Sequence, residues 1–192
     1  MNDIIKAIME EVKKEIIIYK NKSEDNFDFW ENHVKYVYKE AIKLAEIYNA
    51  DINIVKIGAL LHDIALIKEY GDRKNHHSNG AILAKEILDK YELNDSIKEK
   101  VIGCVYNHRS SKNAANIEER CIADADILAH FDNIPMLFNS AFNRYNMDLN
   151  SIKMWMKKTF EDDYNDLSDE TKKLFKDRYK NILNIVLGDE FG

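Results

Sequence analysis

The chain has 192 residues, 45% of them hydrophobic, and 28 basic against 34 acidic residues for a net charge of −6. That length suits one domain with a sizeable core and is short for two. The acidic balance argues against a general nucleic-acid binder or an anionic-membrane binder, since both rest on basic surface. Cys104 and Cys121 are the two cysteines and stand in no CxxC spacing, so they read as buried small hydrophobes in a reducing compartment. Met1 to Lys14 has no apolar signal-peptide core, and no apolar stretch approaches the ~18–20 residues that span a bilayer. A cytoplasmic protein is expected.

One proline and six glycines leave few breaks between long helical patterns. No period-2 strand stands out, and the β-branched run Ile16-Ile17-Ile18 lies inside a helical pattern, so the fold class is all-α, a single-domain helical bundle. Residues 2–20 form an amphipathic helix with Ile5, Ile8 or Met9, Val12 and Ile16 on one face, and the polar stretch Asn21–Asn26 breaks it. A second helix runs from about Asp28 to Tyr48, with His33 on its apolar face one turn after Trp30. A third covers about 52–67 and buries Ile54, Ile57, Leu61 and Ile64. A loop with Gly71, Arg73 and Lys74 leads to a fourth at 77–91, where His76 and His77 stand at the start and Gly80 and Ala81 permit close approach by a neighbour. Asn94-Asp95-Ser96 opens a fifth, with Ser96 and Glu99 spaced as a capping box. Ile97, Val101, Cys104 and His108 lie along its buried face. A sixth covers 117–130. Pro135 suits the first turn of the next, and helices at about 150–163 and 169–187 follow, the last with Ser168 as N-cap and Gly188 as stop. Trp155, Met154 and Met156 read as core in preference to a dimer face.

The third helix ends by presenting His62 and Asp63 side by side within the apolar run Gly58-Ala59-Leu60-Leu61-His62-Asp63-Ile64-Ala65. A carboxylate in such a run costs several kcal/mol unless it is paired. A bound cation would pair it; a cap contact or a simple His–Asp hydrogen bond would also account for the dipeptide alone. The sixth helix offers Asp124 and Asp126 in Ile122-Ala123-Asp124-Ala125-Asp126-Ile127-Leu128. Inward His and Asp side chains from separate helices are how bundles build metal sites. The mixed nitrogen and oxygen set His33, His62, Asp63 and Asp126 suits Mn, Fe, Co, Ni or Zn better than Mg.

The order His33, His62-Asp63, Asp126 resembles the H…HD…D pattern of the HD-domain superfamily of metal-dependent phosphohydrolases. Asn32-His33-Val34-x-x-Val37, Ala59-Leu60-Leu61-His62-Asp63-Ile64, His76-x-x-x-Gly80-Ala81 and Ala123-Asp124-Ala125-Asp126-x-Leu128 are similar to its successive segments. The resemblance divides the chain into an N-terminal helix and loop (1–27), an HD core (28–130) and a helical extension packed on the same domain (131–192). It implies a first metal held by His33, His62, Asp63 and Asp126, with Asp126 preferred over Asp124 because Ala125-Asp126-Ile127-Leu128 fits the family's Ala-Asp-x-Leu. Asp124 is then a partner of a ligand or a helix-surface charge. It also implies a possible second metal or a phosphate contact at His76 and His108, so one or two divalent ions per chain, with Asp63 bridging and Asp63, His76 and His108 as catalytic residues. A helix-start hydrogen bond at His76 and a capped helix C-terminus at His108 are the less favoured alternatives. His77 and His130 read as structural or surface residues.

The chain departs from the family in two places. No Gly-Tyr-Pro follows the core. The glutamate that single-metal members carry three residues after the HD aspartate is here Leu66, which favours a metal-activated water over a glutamate-assisted one. The implied activity is cleavage of a phosphate ester, most readily of a nucleotide or nucleotide derivative, with the loop cations Arg73, Lys74, Arg109 and Lys112 assisting phosphate binding. The implied partner is a small phosphorylated substrate, with a homodimer possible. The alternatives are a non-catalytic ligand-sensing or interaction module on the same fold, a purely structural helical protein, and oxygen chemistry at a di-iron site.

Overall fold

In the computed structural model, residues 1–23, 27–143 and 145–188 are described. They contain helices and no strand. None of these helices is long and apolar enough to cross a membrane. The polar break read over Asn21–Asn26 falls partly on residues 24–26, outside the described residues.

The helices are α1 (Asn2–Lys22), α2 (Lys35–Tyr48), α3 (Ile52–Leu61), α4 (Ile64–Ile67), α5 (His76–Leu88), α6 (Asp95–Asn107), α7 (Ile117–Asp132), α8 (Ile134–Asn143), α9 (Leu149–Asp166) and α10 (Asp169–Leu187). Their starts follow from local chemistry. The side chains of Asp51, Asn94, Asn116, Asp148 and Ser168 accept hydrogen bonds from the free N–H groups at the starts of α3, α6, α7, α9 and α10. The Ser96–Glu99 capping box expected for α6 is displaced by Asn94, whose Oδ1 accepts from Ile97 N at 2.8 Å, so the helix opens at Asp95.

The central element is α7, which packs on α2, α3, α6, α8, α9 and α10. It is buried on nearly every side, from Cys121 through Phe131, and so shows little amphipathic pattern. One contiguous hydrophobic cluster runs from Ile5 on α1 to Ile182 on α10. Helix α1 contributes Ile5, Ile8, Val12 and Ile16, which places it against α3 and α4. Both cysteines are free and buried, and burial pushes the Cys121 thiol up to about 12.

Two departures from regular helix aim the site residues. The helix expected over 52–67 breaks at His62 and Asp63, where Asp63 adopts φ −105° and ψ 18°. Adjacent residues of a regular helix point about 100° apart. The break lets the two side chains converge, with His62 Nε2 3.5 Å from Asp63 Oδ2. The second departure is a π-helical turn at Trp30–Val34 ahead of α2, which carries His33. Asn133, just beyond α7, donates to the carbonyl of Asn32 at 2.9 Å and pins that turn.

Candidate metal centre

Two tight approaches between helices set the positions of the histidines. A Cβ on Gly58 would lie 2.9 Å from Cys104 Cβ, and one on Gly80 would lie 3.1 Å from Val105 Cγ1. Gly58 and Cys104 each stand one turn before a histidine, His62 and His108. The close crossing of α3 and α6 therefore brings those two rings to 5.4 Å between centroids. Gly80 holds α5, and with it His76, against the same pair of helices.

Four histidines and two aspartates converge. His33 Nε2 lies 3.0 Å from His62 Nε2, 3.0 Å from Asp126 Oδ1 and 3.4 Å from Asp63 Oδ2. His62 Nε2 is 3.8 Å from Asp126 Oδ1. On the other side of the same carboxylate, Asp63 Oδ1 is 3.5 Å from His76 Nε2 and 3.7 Å from His108 Nε2, and these two nitrogens are 3.0 Å apart. Asp63 thus turns one oxygen to each pair of imidazoles.

The backbone fixes the tautomers. His62 Nδ1–H donates to the Ala59 carbonyl at 2.8 Å, His76 Nδ1–H to that of Arg73 at 2.9 Å, and His108 Nδ1–H to that of Val105 at 2.6 Å. Each ring then turns Nε2 inward as a bare acceptor in its neutral form. Two such lone pairs 3.0 Å apart, as in His76 and His108, repel unless positive charge lies between them. Ligands of one first-row divalent ion, each about 2.1 Å from it, lie roughly 3.0–3.4 Å apart at right-angled to tetrahedral geometry. The closest approaches in both groups fall in that range. The residues therefore fit a divalent ion in each of two groups, His33, His62, Asp63 with Asp126, and Asp63, His76, His108.

The charges agree with this fit. Burial would lower His33, but the carboxylates of Asp126 and Asp63 outweigh it and push the ring up to about 10. Burial would raise Asp63 and Asp126, yet the surrounding histidines hold both well below the usual carboxylate range. His108 is pushed down to about 4 by burial and by His62.

The cluster opens into a cavity of about 430 Å³. Arg73 and Arg109 line it, Arg109 tied to the Lys74 carbonyl at 3.0 Å. Lys74 and Lys112, expected beside them, are not in its lining. The Lys74 side chain is exposed, and Lys112 Nζ lies 3.3 Å from Asp166. Asp124 is neither a partner of a ligand nor a surface charge. It is fully buried and accepts from the Ser111, Ser168 and Thr171 hydroxyls and from Ser168 N, which ties α7 to the start of α10.

His130, read as structural or surface, lines the cavity. Its Nδ1 is 2.9 Å from Asp163 Oδ2, and its ring stacks on that of His33 at 6.2 Å between centroids. Its place four residues after Asp126 on α7 was the available signal, because that spacing shares a helix face. Met156 is buried as expected, but Met154 is exposed and Trp155 faces the cavity. His77 packs on the Tyr106 ring at 5.5 Å, outside the cluster.

Two tRNA (cytidine(56)-2'-O)-methyltransferases are similar to this chain in sequence. That of Picrophilus torridus is 31% identical over 169 residues, covering 80% of this chain and 48% of that protein. That of Thermoplasma volcanium is 34% identical over 113 residues, covering 53% and 32%. This chain thus spans about half or less of the length of the curated relatives it matches.

Two solved structures share the fold. A predicted HD superfamily hydrolase from an uncultured Thermotogales bacterium aligns with TM-score 0.64 and 20% identity, over 97% of this chain and 88% of that one. An HD-superfamily hydrolase from Bacillus thuringiensis aligns with TM-score 0.62 and 19% identity, over 93% and 94%. Residues 30–130 match the HD domain, more than half of the chain, and the protein belongs to the HD domain family.

Proposed function

We propose that this chain is a metal-dependent phosphohydrolase that cleaves a phosphate ester, most readily of a nucleotide or nucleotide derivative. The observation that carries this reading is the paired site: two sets of imidazole nitrogens 3.0 Å apart, joined by the two oxygens of Asp63, at the base of a cavity with two arginines. His33, His62, Asp63 and Asp126 would hold one ion, and Asp63, His76 and His108 a second. Bound there, divalent cations supply an activated water near neutral pH and neutralise charge on the phosphoryl oxygens.

The protein's own groups do the rest. Arg73 and Arg109 present planar guanidinium groups suited to bidentate contact with phosphate. Leu66 occupies the cavity wall where single-metal members place a glutamate, so among the described residues Asp63 and Asp126 are the carboxylates facing a substrate there. The carbonyls behind His62, His76 and His108 hold the rings in place, so that little reorganisation is needed when a substrate enters.

The names of the similar methyltransferases favour a second reading, a role alongside tRNA modification. At least half of each of those proteins lies outside the part this chain resembles. A net charge of −6 weighs against RNA binding by the chain alone, and clustered imidazoles and carboxylates suit hydrolysis better than methyl transfer.

The test is p-nitrophenolate release from p-nitrophenyl phosphate and bis-p-nitrophenyl phosphate, and product analysis by chromatography for a panel of nucleotides, with Mn²⁺, Co²⁺, Ni²⁺ or Zn²⁺ supplied in turn. Wild type should turn over at least one class, and Asp63→Asn should lose the activity at least about a hundredfold. Metal bound at the site with no ester cleaved would overturn the hydrolase reading in favour of the non-catalytic module.

A further inference from the structure

The cavity lining divides along the sequence. Within residues 30–130, every lining residue but Leu66 is ionisable. Outside that span every described lining residue is uncharged, and four are aromatic: Phe27 and Phe29 before it, Tyr145 and Trp155 after it. The family segment thus supplies a charged end, and the flanking segments supply an aromatic one.

The two aromatic pairs differ. Phe29 is buried, with the Tyr19 and Phe27 rings each 4.9 Å from its own, so it is part of a packed wall. Tyr145 is 51% exposed, and its ring lies 5.8 Å from that of Trp155 at 60°. Helix α9 sorts its neighbours: Met156 is fully buried in the core, Met154 is 69% exposed, and Trp155 between them faces the cavity. Trp and Tyr give large, rigid contact area at low cost in side-chain entropy. A volume of about 430 Å³ is in the range of small-molecule sites and exceeds what a bare phosphate needs.

We propose that Trp155, flanked by Tyr145, stacks on a planar ring in the organic half of the substrate, so that the helical extension after residue 130 selects which phosphate ester reaches the charged end. The chemical class is a phosphate ester whose alcohol carries a flat aromatic or heteroaromatic ring. The inference rests on the phosphohydrolase reading only for the position of the phosphate.

The test separates ring recognition from turnover. The probes are phosphonate isosteres of adenosine 5′-phosphate and ribose 5-phosphate, in which a methylene replaces the ester oxygen so that neither can be cleaved. Each is titrated calorimetrically into the full chain in Mn²⁺. The adenine-bearing probe should bind about tenfold tighter, the scale of one base stacked on an aromatic ring, and should quench tryptophan fluorescence. Trp155→Ala should reduce that preference below about threefold and leave the ribose probe unchanged, while Trp155→Phe should restore most of it. Equal affinities, a preference that survives Trp155→Ala, or no binding of the adenine probe would each overturn the proposal. A protein that prefers the ring yet cleaves no ester would lose the hydrolase reading and keep this one.

Discussion

Asparagine at position 63 keeps the shape of the side chain and removes the charge that both histidine groups share. Asp63 Oδ2 faces His33 and His62 at 3.4 and 3.5 Å, and Oδ1 faces His76 and His108 at 3.5 and 3.7 Å. Asp63→Asn should therefore abolish both ion sites at once. Asp126→Asn should weaken only the first, and His108→Gln only the second. The size of the effect follows from linkage: at free metal a hundred times its Kd, one site stabilises the folded state by about 2.7 kcal/mol. For a chain of this length that corresponds to about 5–11 °C in Tm.

Thermal unfolding with EDTA and with Mn²⁺, paired with metal analysis by mass spectrometry, reads this directly. Wild type should bind two equivalents and shift by about twice the single-site value. Asp126→Asn and His108→Gln should each keep one equivalent and about half the shift, and Asp63→Asn should show neither. A full shift in Asp63→Asn, or complete loss in either single-site variant, would refute the division of the cluster at Asp63.

Three further outcomes are expected. Asp124→Ala removes the acceptor of the Ser111, Ser168 and Thr171 hydroxyls and of the Ser168 N–H, of which Thr171 is buried and the two serines half-buried, so it should cost about 2–4 kcal/mol in urea unfolding while leaving metal stoichiometry intact; a cost below about 1 kcal/mol would show that α10 docks by other means. Because His33 is raised to about 10, an ion binding below that pH must displace its proton. Metal affinity should then rise about tenfold per unit between pH 6 and 8, with about one proton released in calorimetry across buffers, and a flat profile would contradict it. Burial would lower His130, but Asp163 raises it overall, so their pairing stabilises the fold below the free-histidine value near 6.5 and is lost as pH rises through the raised folded value. Asp163→Asn should accordingly lower Tm more at pH 5.5 than at pH 9, and an equal loss at both would mean the contact is not ionic.

The charged half of the site was legible because it is written in order along the chain. His33, His62-Asp63 and Asp126 each sit on a helix whose period is visible, and bundles bring such positions together. The bends that aim them were not legible. A π-helical turn at Trp30–Val34 and a break at His62-Asp63 are settled by what packs around them, such as Asn133 bonding to Asn32 from 101 residues away. The choice between Asp124 and Asp126 shows the same boundary. Two residues apart on a helix, they point about 200° apart. On an amphipathic helix one of them would face water, but α7 is central, so Asp124 is buried on one side while Asp126 lines the cavity on the other. Asp126 meets the histidines, while Asp124 meets Ser168 and Thr171 on an element 44 or more residues later.

The uncharged half of the cavity left no mark in the sequence, and the reason is physical. A ligating atom must be a nitrogen or oxygen of fixed type at fixed geometry, which constrains residue identity and so makes a motif. A wall that receives a ring needs area and flatness, which Trp, Tyr or Phe supply from many positions, and Trp155 between Met154 and Met156 looks like any core-facing stretch. Lys74 and Lys112 illustrate the converse error: a cation in a loop has no periodic pattern to say where it points, and these two point to solvent and to Asp166. What distinguishes Trp155 from its neighbours is the turn of α9 on which it falls, one residue from the fully buried Met156 and facing the one part of the cavity that carries no charge.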